Sequence, residues 1–519
     1  MTPETKKSLI LLICDGLGLP PKNDTNKIVS AKMMPFLLGT LWNRYPHTAL
    51  TAHGEDVGLL KNQEGNSEAG HLNIGAGRVV KQDIRYVHDA IDDGTFFKNT
   101  AILEALHHAK KYKSKVHVMG LLSNGNSAHA SPLHLKSLLK ILHDEGMKKV
   151  FLHLFTDGRD SRPHEALTLL KKCEENFHGT EKIATVIGRF YAMDRNKRWE
   201  RTQKAYEAMT EGRGCAASSA YEAISQAYNR GETDEFVCPC VVIENKKPVA
   251  TIDDNDVIIF FNLRSDRARQ MTKPFVQGLF EAANPGAFRR KKRPNNIRFV
   301  VMTDFGPDLP GIFTAFPSHD VHGSLTQMLS HASLTQSYIA ESEKYAHVTY
   351  FFNGGYGHKF YDEEWVRLPS PNVTHYETTP AMSAVAIRNA VIARAKKGCQ
   401  IVVANFANAD MIGHTGNEAA ARKALTILDE SIKTIVEKTK KYATIIITAD
   451  HGKVERMRDA KTQEVITEHT TNPVPFILVS EQYRAKRLRS HGRLADIAPT
   501  ILKLLTIEKQ KEMTGKSLL

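Results

Sequence analysis

Residues 8–16 read SLILLICDG, an apolar run that stops at an aspartate and a glycine. The run is much shorter than the about 20 apolar residues that a membrane-spanning helix needs. No small-residue cleavage site follows it, as one would in a signal peptide. We interpret the run as a buried β-strand with a polar side chain, Asp15, at its carboxyl end.

The same pattern, a buried strand that enters a polar loop, recurs along the chain. It is present at 150–155, 257–262, 401–405 and 444–448, and helix-like stretches lie at 163–175, 201–209 and 419–438. Alternating strands and helices indicate an α/β protein with mostly parallel sheets. Ligands of such sheets bind beyond the carboxyl ends of the strands. Charged side chains follow the strands there, at Asp15, Asp157, Arg264, Asp410 and Asp450.

Length and composition indicate a large globular protein. The 519 residues exceed what one ordinary core holds, which predicts two or three domains. Six cysteines are scattered along the chain. We expect a cytoplasmic location, since the first apolar run is interpreted as a strand and not as a signal peptide. Because a disulfide framework is improbable in a large cytoplasmic protein, we also expect reduced thiols.

The formal net charge is +13, and its densest source is the run RRKKR at 289–293. No aromatic platform is interleaved with this run, and no zinc-finger, helix-turn-helix or RNA-recognition signature accompanies it. We therefore expect a solvated loop and neither a nucleic-acid nor a membrane partner. Contact with a polyanion is the alternative.

Aspartates and histidines suited to metal binding occur at several strand ends. Asp410 and His414 are four residues apart, which brings both to one side of a helical turn or of a tight loop. Asp450 and His451 follow the apolar run at 444–448, and His469 lies in a nearby loop. Each alone has a simpler interpretation as a turn, a hydrogen-bonded pair or a structural histidine. Together with Asp15, three aspartates and three histidines suffice for two metal ions.

The stretch EGNSEAGHLNIG at 64–75 places a serine, Ser67, among glycines. It does not fit the Gly-x-Ser-x-Gly pattern of hydrolases, and we expect an exposed loop that packs no core. A plain glycine-rich turn is one interpretation. The other is a nucleophile, because a divalent cation lowers the pKa of a bound hydroxyl and replaces a histidine base. Glycines would let the backbone approach such a site closely.

Long blocks of the sequence resemble cofactor-independent phosphoglycerate mutases of the alkaline phosphatase superfamily. The resemblance runs in order through nearly the whole chain, and the only departure noted is Ala69, where valine is common. The matching blocks are Asp15-Gly16, GNSEAGHLNIGAGR at 65–78, SNGNSAHAS at 123–131, TDGRD at 156–160, GRFYAMDR at 188–195, FFNLRSDRARQ at 260–270, EKYAHVTYFFNGG at 343–355, NADMIGHTG at 408–416 and TADHG at 448–452.

The resemblance implies a fold with two α/β domains. A discontinuous phosphatase-like metal-binding domain would comprise 1–81 and 318–519, and an inserted transferase domain would comprise 82–317. It also implies a monomer and two divalent ions, Mn²⁺ first, with Co²⁺, Mg²⁺ or Zn²⁺ as alternatives. The ligands of one ion would be Asp15, Ser67, Asp450 and His451, and those of the other Asp410, His414 and His469.

The implied activity is interconversion of 3-phosphoglycerate and 2-phosphoglycerate in glycolysis and gluconeogenesis, through a phosphoserine on Ser67 and without bisphosphoglycerate. Arginines suit a substrate with a phosphate and a carboxylate, although surface salt bridges are their commoner role. Closure of the domains over the substrate would exclude water. The implied substrate contacts are His129, Arg159, Asp160, Arg189, Arg195, Arg264, Arg267 and Lys344; Lys344 and Arg267 would assist transfer and Asp160 would move a proton.

Two rival functions remain at this stage. A metal phosphatase or phosphopentomutase of the same superfamily would share the metal ligands but not the arginine-rich segment. A basic nucleic-acid-binding protein would use 289–293, and its binding would weaken steeply with salt.

Overall fold

A computed structural model of the chain describes residues 8–21, 28–125, 127–306, 308–317, 321–373, 375–459, 462, 464–466 and 468–519. Its strands, in chain order, are β1 (Ser8–Cys14), β2 (His47–Thr51), β3 (Val116–Leu121), β4 (Val150–Thr156), β5 (Glu181–Gly188), β6 (Cys215–Ala217), β7 (Cys240–Glu244), β8 (Lys247–Pro248), β9 (Val257–Phe260), β10 (Arg298–Val301), β11 (Ile312–Thr314), β12 (Gln336–Glu341), β13 (Glu363–Leu368), β14 (Ile401–Phe406), β15 (Ala443–Thr448), β16 (Val474–Val479) and β17 (Gly492–Arg493).

The α-helices vary from single turns to the long α15. They are α1 (Trp42–Arg44), α2 (Ser67–Ala76), α3 (Asp83–Asp92), α4 (Thr100–Tyr112), α5 (Pro132–Asp144), α6 (Ala166–Glu174), α7 (Arg189–Ala192), α8 (Trp199–Glu211), α9 (Ala220–Asn229), α10 (Ser265–Val276), α11 (Phe280–Ala283), α12 (Leu325–His331), α13 (Ala384–Lys396), α14 (Asn408–Gly413), α15 (Glu418–Thr439) and α16 (Ile497–Leu504). None of these helices combines the length and apolar character that spanning a bilayer requires.

The chain divides into two compact units, Met1–Gln82 with His319–Leu519 and Asp83–Ser318. The first unit is therefore built from both ends of the chain. Its sheet has the strand order β13-β12-β14-β1-β15-β16-β2-β17. Strands β13 to β15 in this order are parallel, whereas β16 runs antiparallel to both of its neighbours. Every residue of β1 and β14 is buried, as expected for parallel strands covered on both faces.

The second unit has its own sheet, in the order β11-β10-β9-β3-β4-β5-β7-β6. Its strands are parallel except at β7, which is antiparallel to β5 and to β8, a short strand that pairs with β7 alone among the described strands. The buried residues of β3, β4 and β9 form its centre. The two sheets confirm the prediction of a two-domain α/β fold with mostly parallel strands. Residue 318, where the expected metal-binding domain resumes, lies outside the described residues.

The strand ends fall close to the places that the sequence indicates. Strand β1 ends at Cys14, directly before Asp15, and β15 ends two residues before Asp450. Strand β14 leads through Ala407 into α14, which carries Asp410. Since β14, β1 and β15 are adjacent and parallel, the three aspartates lie at one edge of one sheet. This edge positions the candidate site of the first unit.

Candidate active site

The expectation of an exposed loop around Ser67 was wrong. Ser67 is the first residue of helix α2, and the side chain of Asn66 caps that helix by accepting from the amide of Ala69 at 2.9 Å. Most of α2 is buried, including Ser67, which is 7% exposed. Glycines make this burial possible, since a Cβ on Gly70 would lie 2.6 Å from the carbonyl oxygen of Asp450. The glycines of α2 therefore allow close packing and do not indicate a loop.

The Ser67 hydroxyl lies among three polar side chains in the first unit. Its Oγ is 2.8 Å from Lys344 Nζ, 3.0 Å from His451 Nε2 and 3.2 Å from Asp15 Oδ1. Because Ser67 starts a helix of ten residues, the partial positive charge of the helix N-terminus also falls at this point. The surroundings therefore favour negative charge on or next to this oxygen.

Lys344 links the two aspartates nearest to the serine. Its Nζ donates to Asp15 Oδ1 and to Asp410 Oδ2, both at 2.6 Å, in addition to Ser67 Oγ. The side chain is only 6% exposed. Burial opposes its charge, but the surrounding carboxylates outweigh burial and raise the pKa of Lys344. Lys344 is therefore a fixed ammonium at the centre of the site.

Asp15, Asp450 and His451 form the first group of candidate metal ligands. All three are fully buried. The amides of Gly16 and His451 donate to Asp450 Oδ1 at 3.2 and 3.0 Å. They leave Asp450 Oδ2 without a hydrogen bond in the described structure. Ser67, which the sequence also assigned to this group, adjoins it through Asp15 and His451.

Asp410, His414 and His469 form the second group. Asp410 Oδ1 has no hydrogen-bond partner among the described residues, yet it lies 3.3 Å from His414 Nε2 and 3.4 Å from His469 Nε2. His469 Nδ1 is 2.7 Å from the carbonyl oxygen of Gly65. A proton on Nδ1 then leaves the Nε2 lone pair free, which is the usual arrangement of a metal-binding histidine.

The charges of these residues fit divalent cations. Three buried carboxylates, Asp15, Asp410 and Asp450, face one ammonium, Lys344, which leaves a surplus of negative charge. Burial and repulsion from Asp450 raise the pKa of Asp15 to about 7, although Lys344 acts in the opposite direction. Burial lowers the pKa of His414, His451 and His469, so these imidazoles are neutral at neutral pH. Carboxylate and neutral imidazole donors suit manganese, zinc and related ions.

Supporting residues that the sequence did not indicate hold these ligands in place. Asn405, at the end of β14, donates through Nδ2 to Asp15 Oδ2 at 2.7 Å and lies 3.0 Å from His71 Nε2. His71 Nδ1 in turn lies 3.3 Å from Asp450 Oδ2. The sequence could have indicated His71, because it lies four residues after Ser67 on α2 and residues four apart share a helix face.

Lys453 anchors the segment that carries His469. Its side chain is fully buried and donates to the carbonyl oxygens of Ile466 and Glu468 at 2.7 and 2.9 Å. Burial lowers the pKa of Lys453 to about 8. The lysine therefore fixes the approach of His469 to Asp410.

In the second unit, Arg189 and two aspartates form a buried ion-pair network. Arg189 Nη1 is 2.5 Å from Asp157 Oδ1 and 3.0 Å from Asp160 Oδ2. Ser127 Oγ also donates to Asp160 Oδ2 at 2.7 Å. Burial alone would raise the pKa of Asp160, but the charge of Arg189 and these hydrogen bonds lower it. Asp160 is thus held as a carboxylate.

The other predicted arginines gather around Arg267. Burial and the neighbouring guanidinium groups of Arg195, Arg189 and Arg159 lower the pKa of Arg267 to about 10. Arg195 and Arg264 both pair with Asp266, at 2.7 and 3.1 Å. One carboxylate thus pairs with two arginines, and guanidinium groups crowded in this way are suited to bind an anion.

His129 completes this set. It is 5% exposed, and its Nδ1 makes no hydrogen bond within the described residues. Burial and the charges of Arg264 and Arg189 lower the pKa of His129 well below its usual value. A neutral imidazole with an uncommitted buried nitrogen can serve a ligand hydroxyl or carboxylate. The structure therefore brings the predicted side chains together within each unit, as two sets.

The basic run at 289–293 has partly structural roles. Arg290 Nη1 donates to the carbonyl oxygens of Pro274 and Gln277 at 2.8 and 2.9 Å. Lys292 Nζ donates to the carbonyl oxygen of Thr210 at 2.8 Å and pairs with Asp253. These contacts explain basic side chains that the sequence left without a role.

Comparison with known proteins identifies the family. A family model described as "BPG-independent PGAM N-terminus" matches residues 87–307. A Clostridium acetobutylicum protein named 2,3-bisphosphoglycerate-independent phosphoglycerate mutase is 45% identical over 517 residues, covering 99% of each chain. A Methanosarcina barkeri relative, named 2,3-bisphosphoglycerate-independent phosphoglycerate mutase 2, is 46% identical over 534 residues, again covering 99% of each.

A solved structure agrees with these relatives. Leishmania mexicana phosphoglycerate mutase, crystallised at low cobalt concentration, superposes with a TM-score of 0.83 at 28% identity, covering 100% of this chain and 98% of that one. The chain thus belongs to the family of 2,3-bisphosphoglycerate-independent phosphoglycerate mutases.

Proposed function

We propose that the protein interconverts 3-phosphoglycerate and 2-phosphoglycerate by transferring the phosphoryl group through Ser67. The observation that carries the proposal is the position of the Ser67 hydroxyl, between Lys344 Nζ and His451 Nε2, at a buried edge with surplus negative charge. The family relationship supports the same reaction. The enzyme would be an isomerase that needs no bisphosphoglycerate.

Two divalent cations, which we propose to be Mn²⁺, would be held by the two ligand groups. One would bind Asp15, Ser67, Asp450 and His451, and the other Asp410, His414 and His469. When bound, they supply Lewis-acid chemistry that lowers the pKa of the Ser67 hydroxyl and offsets phosphoryl charge.

In the first half-reaction, Ser67 Oγ loses its proton and attacks the phosphorus of 3-phosphoglycerate. The bond to the glycerate 3-oxygen breaks, and that oxygen takes up a proton to become a hydroxyl. Lys344 Nζ, 2.8 Å from Ser67 Oγ, is placed to stabilise negative charge on the transferred group. Lys344 is fully committed to Asp15, Asp410 and Ser67 before substrate binds. Because Lys344 donates to all three side chains, it also sets the orientation of the serine hydroxyl.

Glycerate must stay bound while it reorients. We propose that Arg159, Arg189, Arg195, Arg264 and Arg267 hold its carboxylate together with His129. Asp160 is ionised, since Arg189 and Ser127 stabilise its charge. It is therefore suited to accept the proton of the 2-hydroxyl as that oxygen attacks the phosphoserine.

The test is the conversion of 3-phosphoglycerate by chelator-stripped protein, with and without Mn²⁺, and with no bisphosphoglycerate added. We expect 2-phosphoglycerate only when Mn²⁺ is restored. Release of inorganic phosphate as the main product would identify a phosphatase instead and overturn the proposal. The monomeric state, the cytoplasmic location and the absence of nucleic-acid or membrane partners remain predictions.

A further inference from the structure

Two cysteines of the second unit lie next to each other: Cys215 is on β6, and Cys238 lies just before β7. Strands β6 and β7 are parallel, and Cys215 is paired in register with Cys240. The amide of Cys215 donates to the carbonyl oxygen of Pro239 at 2.9 Å, which holds Cys215 against the residue that follows Cys238. The Cys238 side chain also lies close enough to Cys215 for the two thiols to interact.

The pair is accessible and reduced. Cys215 and Cys238 are half-buried, whereas Cys240 is buried, and all three are free thiols. They are not among the groups of described residues arranged to hold a metal ion. Adjacent accessible thiols in a protein without structural disulfides are typical of redox-sensitive sites.

We propose that Cys215 and Cys238 form a reversible disulfide in the presence of a hydroperoxide, and that this bridge weakens binding of the phosphoglycerate substrate. The Cys215 thiolate attacks the peroxide oxygen and becomes a sulfenic acid, releasing an alcohol, or water from hydrogen peroxide. The Cys238 sulfur then attacks the Cys215 sulfur, the S–O bond breaks, and water leaves with the Cys238 proton. The two thiols lose two electrons, which reduce the peroxide.

The order of these steps follows from the surroundings of the two thiols. Burial and the neighbouring Cys215 side chain raise the pKa of Cys238 to about 11. Cys238 is therefore protonated at neutral pH and is suited to react second, with an activated sulfur. A dithiol reductant restores both thiols by the reverse exchange.

The segment that ends at Cys238 packs directly on the loops of the substrate-binding set. Thr156 Oγ1 donates to the carbonyl oxygen of Asp234 at 2.7 Å, and the amide of Gly188 donates to that of Val237 at 2.8 Å. A Cβ on Gly188 would lie 2.5 Å from the carbonyl oxygen of Glu235. Because Gly188 is packed closely against the backbone of Glu235, a shift of Cys238 would also displace Gly188.

The residues next to these contacts belong to the anion site. Arg189 follows Gly188, and Arg159 Nη1 lies 3.8 Å from Glu235 Oε1. Bridging Cys238 to Cys215 would therefore move guanidinium groups that are placed to hold the substrate. A displacement of about 1 Å is enough to cost up to about 100-fold in rate.

The test treats the Mn²⁺-loaded protein with hydrogen peroxide, removes the peroxide with catalase, and divides the sample. Thiol titration of the unfolded chain should fall from the six cysteines of the sequence to four, since one bridge consumes two. Peptide mass spectrometry should identify the bridge as Cys215–Cys238. We expect kcat/KM to fall about tenfold or more, mainly through KM, and a dithiol to restore it.

Cys215→Ser and Cys238→Ser should each keep the untreated activity and lose the peroxide response. Cys399→Ser, a half-buried cysteine of the first unit, is the matched control and should respond like the wild type. Failure to find the bridge in the wild type overturns the proposal, and so does a bridge that leaves KM unchanged. Because the bridge is read by mass, its detection does not depend on the proposed mutase activity.

Discussion

Replacement of Lys344 by methionine tests the electrostatic balance of the site. The ammonium donates to Asp15 and Asp410 at 2.6 Å and to Ser67 at 2.8 Å. Methionine fills a similar volume but leaves the buried carboxylates without their cation. Removal of one partner from a buried ion pair costs about 3–5 kcal/mol, so we expect that loss in the free energy of unfolding of chelator-stripped protein at pH 8.

The loss should depend on pH and on metal. Burial and repulsion from Asp450 already raise the pKa of Asp15 to about 7, and without the ammonium the folded-state pKa of this carboxyl group rises further above the unfolded value. Such carboxyl groups lower the free energy of unfolding as pH rises from their unfolded-state pKa through their folded-state pKa. The stability defect of Lys344→Met should therefore shrink when pH is lowered from 8 to 5. Saturating Mn²⁺ should restore most of the stability, because cations replace the lost charge. Saturating Mn²⁺ should not restore catalysis: kcat of Lys344→Met should stay about 100- to 1000-fold below the wild-type value, the usual cost of a lost transition-state donor.

The assay is urea denaturation followed by fluorescence, at both pH values, with and without Mn²⁺. Lys438→Met, an exposed lysine at the end of α15, is the matched control and should behave like the wild type. Wild-type stability of Lys344→Met in chelator at pH 8 would refute the reasoning that this ammonium offsets buried negative charge.

Further predictions concern both units. Arg267→Gln should raise KM about 10- to 100-fold, from the loss of about 1.5–3 kcal/mol of charge-assisted bonding, yet raise the melting temperature of substrate-free protein by relieving guanidinium repulsion; a lower melting temperature would contradict this. Asn405→Ala should weaken Mn²⁺ binding about 10- to 100-fold in calorimetry, because Asn405 orients Asp15, and unchanged affinity would count against that role. Burial lowers the pKa of His134 to about 3. Between that value and the unfolded-state pKa of about 6.5, His134 is therefore protonated only in the unfolded state. Stability should therefore fall by about 1.4 kcal/mol per pH unit below pH 6, and His134→Phe should reduce this slope in urea denaturation; an identical slope would exclude His134 as its source.

The strand ends were predictable from the sequence because burial and polarity change sharply there. SLILLIC followed by Asp15, and ATIIIT followed two residues later by Asp450, are local patterns that parallel sheets convert into one functional edge. The spacing of Asp410 and His414 likewise predicted a helical turn or a tight loop, and the structure has the helical turn, α14 with His414 as its C-cap. In each case, residues close in the chain carry the information.

Features that depend on distant contacts were not predictable in this way. Asn405 contacts Asp15 across 390 residues, and nothing near Asn405 in the sequence indicates that role. Ser67 was assigned to a loop because glycines normally favour turns, whereas here they let α2 pack against Asp450. The discontinuity of the first unit followed only from the family resemblance, because composition does not change sharply between the two units.

The central claim is that Ser67 carries the phosphoryl group between the two hydroxyls of glycerate. The most direct measurement is rapid acid quench of Mn²⁺-loaded protein mixed with phosphoglycerate, followed by mass spectrometry of the peptide that contains Ser67. We predict that one phosphoryl group is found on Ser67, at a rate no slower than turnover, and that it is absent in Ser67→Ala. An unmodified peptide during steady turnover, or turnover by Ser67→Ala, would contradict the account.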